Sequence, residues 1–218
     1  MTGDGENKDE CTEQHRPKLA EQREVETVYQ PAEDSRLLAD TVVDRIESDA
    51  FVLDVGTGSG FLAHRIREQT GARALGSDIN PDACRQASDA GVPVVRANLF
   101  DPFQAESFDV VVCNPPYLPT PPGQEWDDWM ERALSGGEDG RAMVDPFIAG
   151  VGRVLAPGGR AYLLASTLTG PEAIRSAGRE QGFEVAVIAE ESYPFERLLV
   201  FEFILSVENP GGFSPASI

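Results

Sequence analysis

Residues 51–60 read FVLDVGTGSG, and this stretch decides the fold. Its first residues form a short apolar run of strand length, interrupted only by Asp54, and glycines follow at 56, 58 and 60. Glycine lets a backbone turn tightly and approach a ligand closely, and residues 61–69 beyond the turn have the length of a crossover helix. Strand, glycine turn and helix together open a βα unit.

The alternation continues outward from there. ARALGSDI (72–79), VPVVRA (92–97), SFDVVVCN (107–114) and RAYLLAS (160–166) read as further strands, with helices expected over 82–90, 142–155 and 171–181 and a turn at APGG (156–159). FEVAVIAE (183–190) and RLLVFEFIL (197–205) are separated only by a hairpin-length ESYPFE, so the last strand is expected to run antiparallel. Upstream, Leu37, Leu38, Val42 and Ile46 recur at helical spacing behind a cap expected at Asp34 or Ser35. The pattern predicts an α/β fold: a doubly wound, seven-stranded, mostly parallel sheet with its last strand antiparallel. Residues 25–206 are expected to form one domain, with a disordered acidic tail over 1–24 and a flexible tail over 207–218.

Composition narrows the classes. The chain has 218 residues and 41% hydrophobic content, enough for one sizeable core. No apolar run approaches the ~20 residues of a membrane helix, and the polar N-terminus lacks a signal-peptide pattern, so a cytoplasmic protein is expected. Cys11, Cys84 and Cys113 are widely spaced, and the histidines are only His15 and His64, which predicts neither a disulfide framework nor a metal site. The net charge is −19 and the only lysines are Lys8 and Lys18. Such a surface disfavours nucleic acid, although acid-rich, lysine-poor surfaces are also expected of a halophilic cytosol, where charge is screened within ~3 Å.

The glycine spacing is G-x-G-x-G rather than the G-x-G-x-x-G that cradles a dinucleotide, and Asp54 before the turn repels phosphate while suiting a cation. Asp78 ends the second strand, 20 residues after Gly58, where a carboxylate accepts from both ribose hydroxyls. These features are together the expected site for S-adenosyl-L-methionine. Asp78 also reads as a helix cap ahead of Pro81. In RANLFD (96–101), Asn98 could contact the adenine edge and Leu99 its face, or Asn98 could be a turn residue.

DVVVCNPPY (109–117) ends the fourth strand in a polar amide on a stiff turn, because Pro115 cannot continue the ladder. The Asn114 side-chain carbonyl and the Pro115 backbone carbonyl can accept both N–H groups of a planar –NH₂, and Tyr117 can pack on its flat face. The quartet alone says only that the acceptor is a planar amine. TPPGQEWDDWME (120–131) follows as a lid, or as a loop pinned by Trp126 and Trp129.

DVGTGSG, SDINPDA and NPPY, in that order, resemble the HemK-like class I methyltransferases. VYQPAEDSRLLAD (28–40), LSGGEDGRAMVDPF (134–147) and VLAPGGRAYLL (154–164) resemble the archaeal and eukaryotic branch that methylates the glutamine of the Gly-Gly-Gln loop in class I translation release factors. The resemblance implies that Tyr29, Ser35, Asp54, Gly56, Gly58, Asp78, Asn98 and Leu99 bind the cofactor. It implies that Asn114 binds both cofactor and substrate amide, with Pro115, Pro116 and Tyr117 completing the catalytic and substrate turn. Two positions depart from the family: Asp54 replaces a frequent Glu, and Asn98 replaces an Asp. The branch works as a heterodimer with a small zinc-binding activator, and residues 92–97, an apolar edge strand with little protective charge, are the expected place for strand addition. NPPY is shared with enzymes that methylate the exocyclic amine of adenine, so N6-adenine methylation, broader protein substrates including lysine, and cofactor binding without catalysis stand as alternatives.

Overall fold

A computed structural model describes residues 28–120 and 135–206, which places both tails and the 121–134 stretch with Trp126 and Trp129 outside the described residues. The strands are β1 (Phe51–Val55), β2 (Arg73–Asp78), β3 (Val94–Arg96), β4 (Phe108–Cys113), β5 (Leu155–Ser166), β6 (Phe183–Ser192) and β7 (Arg197–Leu205). They form one seven-stranded sheet in the order β3-β2-β1-β4-β5-β7-β6. β1 to β5 pair in parallel, and β7 runs antiparallel to both β5 and β6 as the ESYPFE hairpin predicts. The helices are α1 (Glu33–Val43), α2 (Phe61–Thr70), α3 (Pro81–Asp89), α4 (Val144–Val154) and α5 (Pro171–Glu180).

Side chains alternate across the sheet, so an unbroken apolar strand feeds two cores at once. Leu53, Val55, Val111 and Cys113 point to the face covered by Phe147, Ile148 and Val151 of α4 and Ile174 of α5. Val52, Val110 and Val112 point to the face covered by Leu38 and Val42 of α1 and Leu62 and Ile66 of α2. β1 lies between β2 and β4, in register Asp54↔Gly76 and Asp54↔Val112. After β3 the chain crosses back to place β4 on the other side of β1. The carboxyl ends of β1 and β4 therefore flank a topological switch point, the place where open α/β sheets bind ligands.

Several boundaries differ from the sequence reading. β3 is only Val94–Arg96, because Val92 is drawn down to donate to the Ala87 carbonyl at 3.0 Å at the end of α3. α4 begins at Val144 rather than at 142, and the APGG turn is absorbed into β5, with the β4–β5 register shifting between Phe108 and Val110. α1 starts behind Ala32, whose side chain makes no cap bond, so Asp34 and Ser35 sit inside the first turn instead of capping it. α3 is capped by Asn80, whose Oδ1 accepts from the Asp82 amide at 2.9 Å, and not by Asp78.

Candidate functional site

A cavity of about 440 Å³ opens at the switch point. Tyr29, Ser35, Asp54, Gly56, Gly58, Asp78, Asn98, Leu99, Asn114 and Pro116 all line it, so the fold gathers them from five separate segments; Pro115 and Tyr117 lie outside its wall.

The glycine turn is held by its own amides. Gly56 and Thr57 both donate to the Ser77 carbonyl, at 2.8 and 2.9 Å, which locks the turn to the end of β2. The turn then passes so close to α3 that a Cβ at Gly60, where φ is +83°, would lie 3.0 Å from Ala87 Cα. Gly76 matters for a related reason: a Cβ there would come within 2.8 Å of Thr57 Cγ2 and Oγ1. Only glycine at these places lets the turn close on its neighbours.

Asp54 is 2% exposed and accepts on Oδ2 from Thr57 Oγ1 at 2.7 Å and from the Ala63 amide at 3.2 Å. Burial pushes its carboxyl up to about 7, against the downward pull of those two bonds. Losing solvent disfavours the charged form, so the floor of the cavity would gain most from a positively charged guest. Asp78 accepts from Gly58 N at 3.0 Å on Oδ2 and from Asn80 N at 2.8 Å on Oδ1; burial raises its pKa while these backbone bonds lower it. Leu99 is a non-glycine residue at φ 48°, a left-handed conformation that is sparsely populated and concentrates at functional sites. Asn98 beside it is exposed on the cavity rim.

On the opposite wall, Asn114 leaves the end of β4 and its amide nitrogen is spoken for. Nδ2 donates to Asp34 Oδ2 at 3.2 Å and to Ser35 Oγ at 3.1 Å. Its Oδ1 is buried with no partner. A buried carbonyl without a donor costs free energy, about 1–3 kcal/mol, so this oxygen is an acceptor waiting for an N–H. Tyr117 reaches Asp34 Oδ2 at 3.4 Å, and Tyr29 donates to both Asp34 oxygens at 3.0 Å. Burial, followed by the Asp34 charge, raises both phenols above their ordinary range, so they act as donors.

Asp34 is the residue that the sequence pattern missed, having read it only as a cap. It lies 80 residues from Asn114, and no local spacing connects them. Ala142 and Met143, which also wall the cavity, were read only as the start of a helix. Among the described residues no group of three or more His, Cys, Asp or Glu is arranged to hold a metal ion, and no helix is long and apolar enough to cross a membrane.

A model of a methyltransferase domain matches residues 52–136. A Methanocaldococcus jannaschii protein named for N5-glutamine methylation is 35% identical over 179 residues, covering 79% of this chain and 89% of its own. The human methyltransferase HEMK2 is 32% identical over 193 residues, covering 82% of this chain and 90% of its own. A release factor glutamine methyltransferase of Geobacter sulfurreducens is 31% identical, and the chain spans 51% of its length. Among solved structures, the Encephalitozoon cuniculi Mtq2–Trm112 complex, described as responsible for methylating the termination factor eRF1, superposes with a TM-score of 0.70. It is 27% identical, over 83% of this chain and 100% of that one.

Proposed function

From the premise that this chain belongs to the HemK-like protein-glutamine methyltransferases, we propose that it methylates the glutamine side-chain amide in the Gly-Gly-Gln loop of a class I translation release factor. The observation that carries this reading is the buried, partnerless Oδ1 of Asn114 beside a nitrogen already committed to Asp34 and Ser35. A primary amide presents two N–H groups in one plane. Asn114 Oδ1 accepts one and the Pro115 carbonyl accepts the other, which orients the substrate nitrogen toward the cavity. Proline at 115 and 116 keeps this turn from relaxing, and Tyr117 packs on the flat amide.

The cavity suits S-adenosyl-L-methionine. Asp54 offers a buried carboxyl that a cation would relieve, Asp78 stands where a ribose would be gripped, and Leu99 and Asn98 border the adenine end. Tyr29, Ser35, Gly56, Gly58 and Asn114 complete the cofactor wall. When bound, the cofactor supplies an electrophilic methyl group on a sulfonium. The protein's part is to aim the amide and exclude water, and no side-chain base is needed beforehand, because the amide proton becomes acidic only as the new bond forms.

A small zinc-binding activator is the proposed partner. Strand addition at residues 92–97 is supported by β3 standing at the edge of the sheet, with Val94 and Val95 half-buried. We place the enzyme in the cytoplasm with release factors, acting without direct contact to nucleic acid. The test supplies labelled cofactor with purified release factor, with a loop variant carrying alanine for the glutamine, and with adenine-containing oligonucleotides. Label on the native loop alone is expected; label on the oligonucleotides, or equal label on both release factors, overturns the reading.

A further inference from the structure

An asparagine amide has nearly the same shape either way round, so something must decide that Asn114 turns its oxygen, not its nitrogen, to the substrate. We propose that Asp34 is the positioning residue that fixes this orientation, an inference that rests on the glutamine-methylation reading above.

Asp34 is 5% exposed on the first turn of α1. Its carboxylate accepts from the Ser35 amide at 2.6 Å and the Ser35 hydroxyl at 3.3 Å on Oδ1, and from Asn114 Nδ2 at 3.2 Å and Tyr117 OH at 3.4 Å on Oδ2. Tyr29 OH shares both oxygens at 3.0 Å. A carboxylate has about four lone-pair directions and no proton to give, so every neighbour must be a donor.

Two consequences reach Asn114. The first is direct: Asp34 Oδ2 can face only the NH₂ end of the amide, and turning the amide over would set oxygen against oxygen. The second runs through Ser35, whose hydroxyl proton is spent on Asp34, so that the lone pair of Ser35 Oγ faces Asn114 Nδ2 at 3.1 Å. Both groups beside Nδ2 are thus acceptors because of one carboxylate. The amide can satisfy them only by holding Oδ1 the other way, where it is buried and has no partner. Tyr29 belongs to the cavity wall and Tyr117 to the substrate turn, so the same carboxylate ties the cofactor side to the amide side.

Asp34→Asn tests the idea, because it keeps the shape and removes the obligation to accept: the replaced side chain can offer NH₂ to Asn114 as readily as oxygen. kcat for release-factor methylation is expected to fall by ~100-fold, the scale of a misplaced reacting group, with KM and cofactor affinity much less affected. In an Asn114→Ala background the same substitution should cost nothing further, because Asp34 acts through Asn114. Unchanged kcat, or an equal loss in both backgrounds, overturns the proposal. A readout that needs no variant at Asp34 is the ¹⁵N-resolved side-chain NH₂ pair of Asn114 in the native protein, assigned by its disappearance in Asn114→Ala. Protection of that pair from solvent exchange supports the proposal, and exchange as fast as that of an exposed asparagine refutes it. Should the native enzyme put no label on glutamine while the pair is protected, the substrate reading fails and the role of Asp34 stands.

Discussion

Replacing Asp54 with asparagine should make the protein more stable and a poorer binder of its cofactor, and the size of the first effect follows from burial. In the folded chain the carboxyl is pushed from 3.8 to about 7. Below pH 3.8 it is protonated in both folded and unfolded states and makes no difference between them. From there to about 7 the unfolded chain ionises and the folded one does not, so stability falls by about 1.36 kcal/mol per pH unit, reaching a penalty of about 4 kcal/mol that stays constant at higher pH. Asparagine can still accept from Thr57 Oγ1 and the Ala63 amide, and it carries no charge to desolvate. Its NH₂ must find a partner, at a cost of about 1–3 kcal/mol where it does not. The expected change therefore runs from nothing gained, or a loss of up to about 3 kcal/mol, at pH 4 to a gain of about 1–4 kcal/mol at pH 8, read as the shift in urea midpoint at fixed salt. Cofactor binding by titration calorimetry should weaken at pH 8, where the ionised carboxylate attracts a cation, and change much less at pH 4, where Asp54 is already neutral in the folded chain. An Asp54→Asn protein destabilised equally at pH 4 and pH 8 would show that the carboxylate is a structural brace, and the argument from burial would be wrong.

Other perturbations probe the remaining parts of the site. Asn114→Ala should lower kcat by ~10²–10³, as loss of a preorganised polar contact does, while leaving the melting temperature close to native; a drop in stability alone would not fit. Gly76→Ala should cost about 1–3 kcal/mol and shrink the stabilisation given by S-adenosylhomocysteine in thermal melts, because the new methyl displaces Thr57 from Asp54. Val95→Lys should abolish co-purification with the activator while sparing the fold, since a lysine on a sheet edge blocks strand addition; undiminished association would move the partner elsewhere.

What could be read from the sequence, and what could not, divides by physical range. The succession of strands along the chain and the reversal of β7 are carried by local signals: short apolar runs, glycine or proline at their ends, and a loop too short for anything but a hairpin. Such signals also place Asp54, Gly58 and Asp78, because the ends of β1 and β2 are adjacent in any sheet wound this way, and Gly58 N does donate to Asp78. Local signals failed at element ends. Asp34 and Ser35 have ordinary cap chemistry, and propensity favours them at a helix start, yet the chain begins α1 at Glu33 so that both can turn inward. The factor that overrides propensity is the set of donors from Tyr29, Asn114 and Tyr117, of which two lie 80 or more residues away. A cap would have satisfied one backbone amide at about 1 kcal/mol. The buried carboxylate instead collects several charge-assisted bonds, each roughly twice as strong as a neutral one. That exchange makes sense only if the orientation it enforces on Asn114 matters. The departure from the local rule therefore falls beside Asn114, where, on the proposed reading, the polarity of one amide decides how the site holds another.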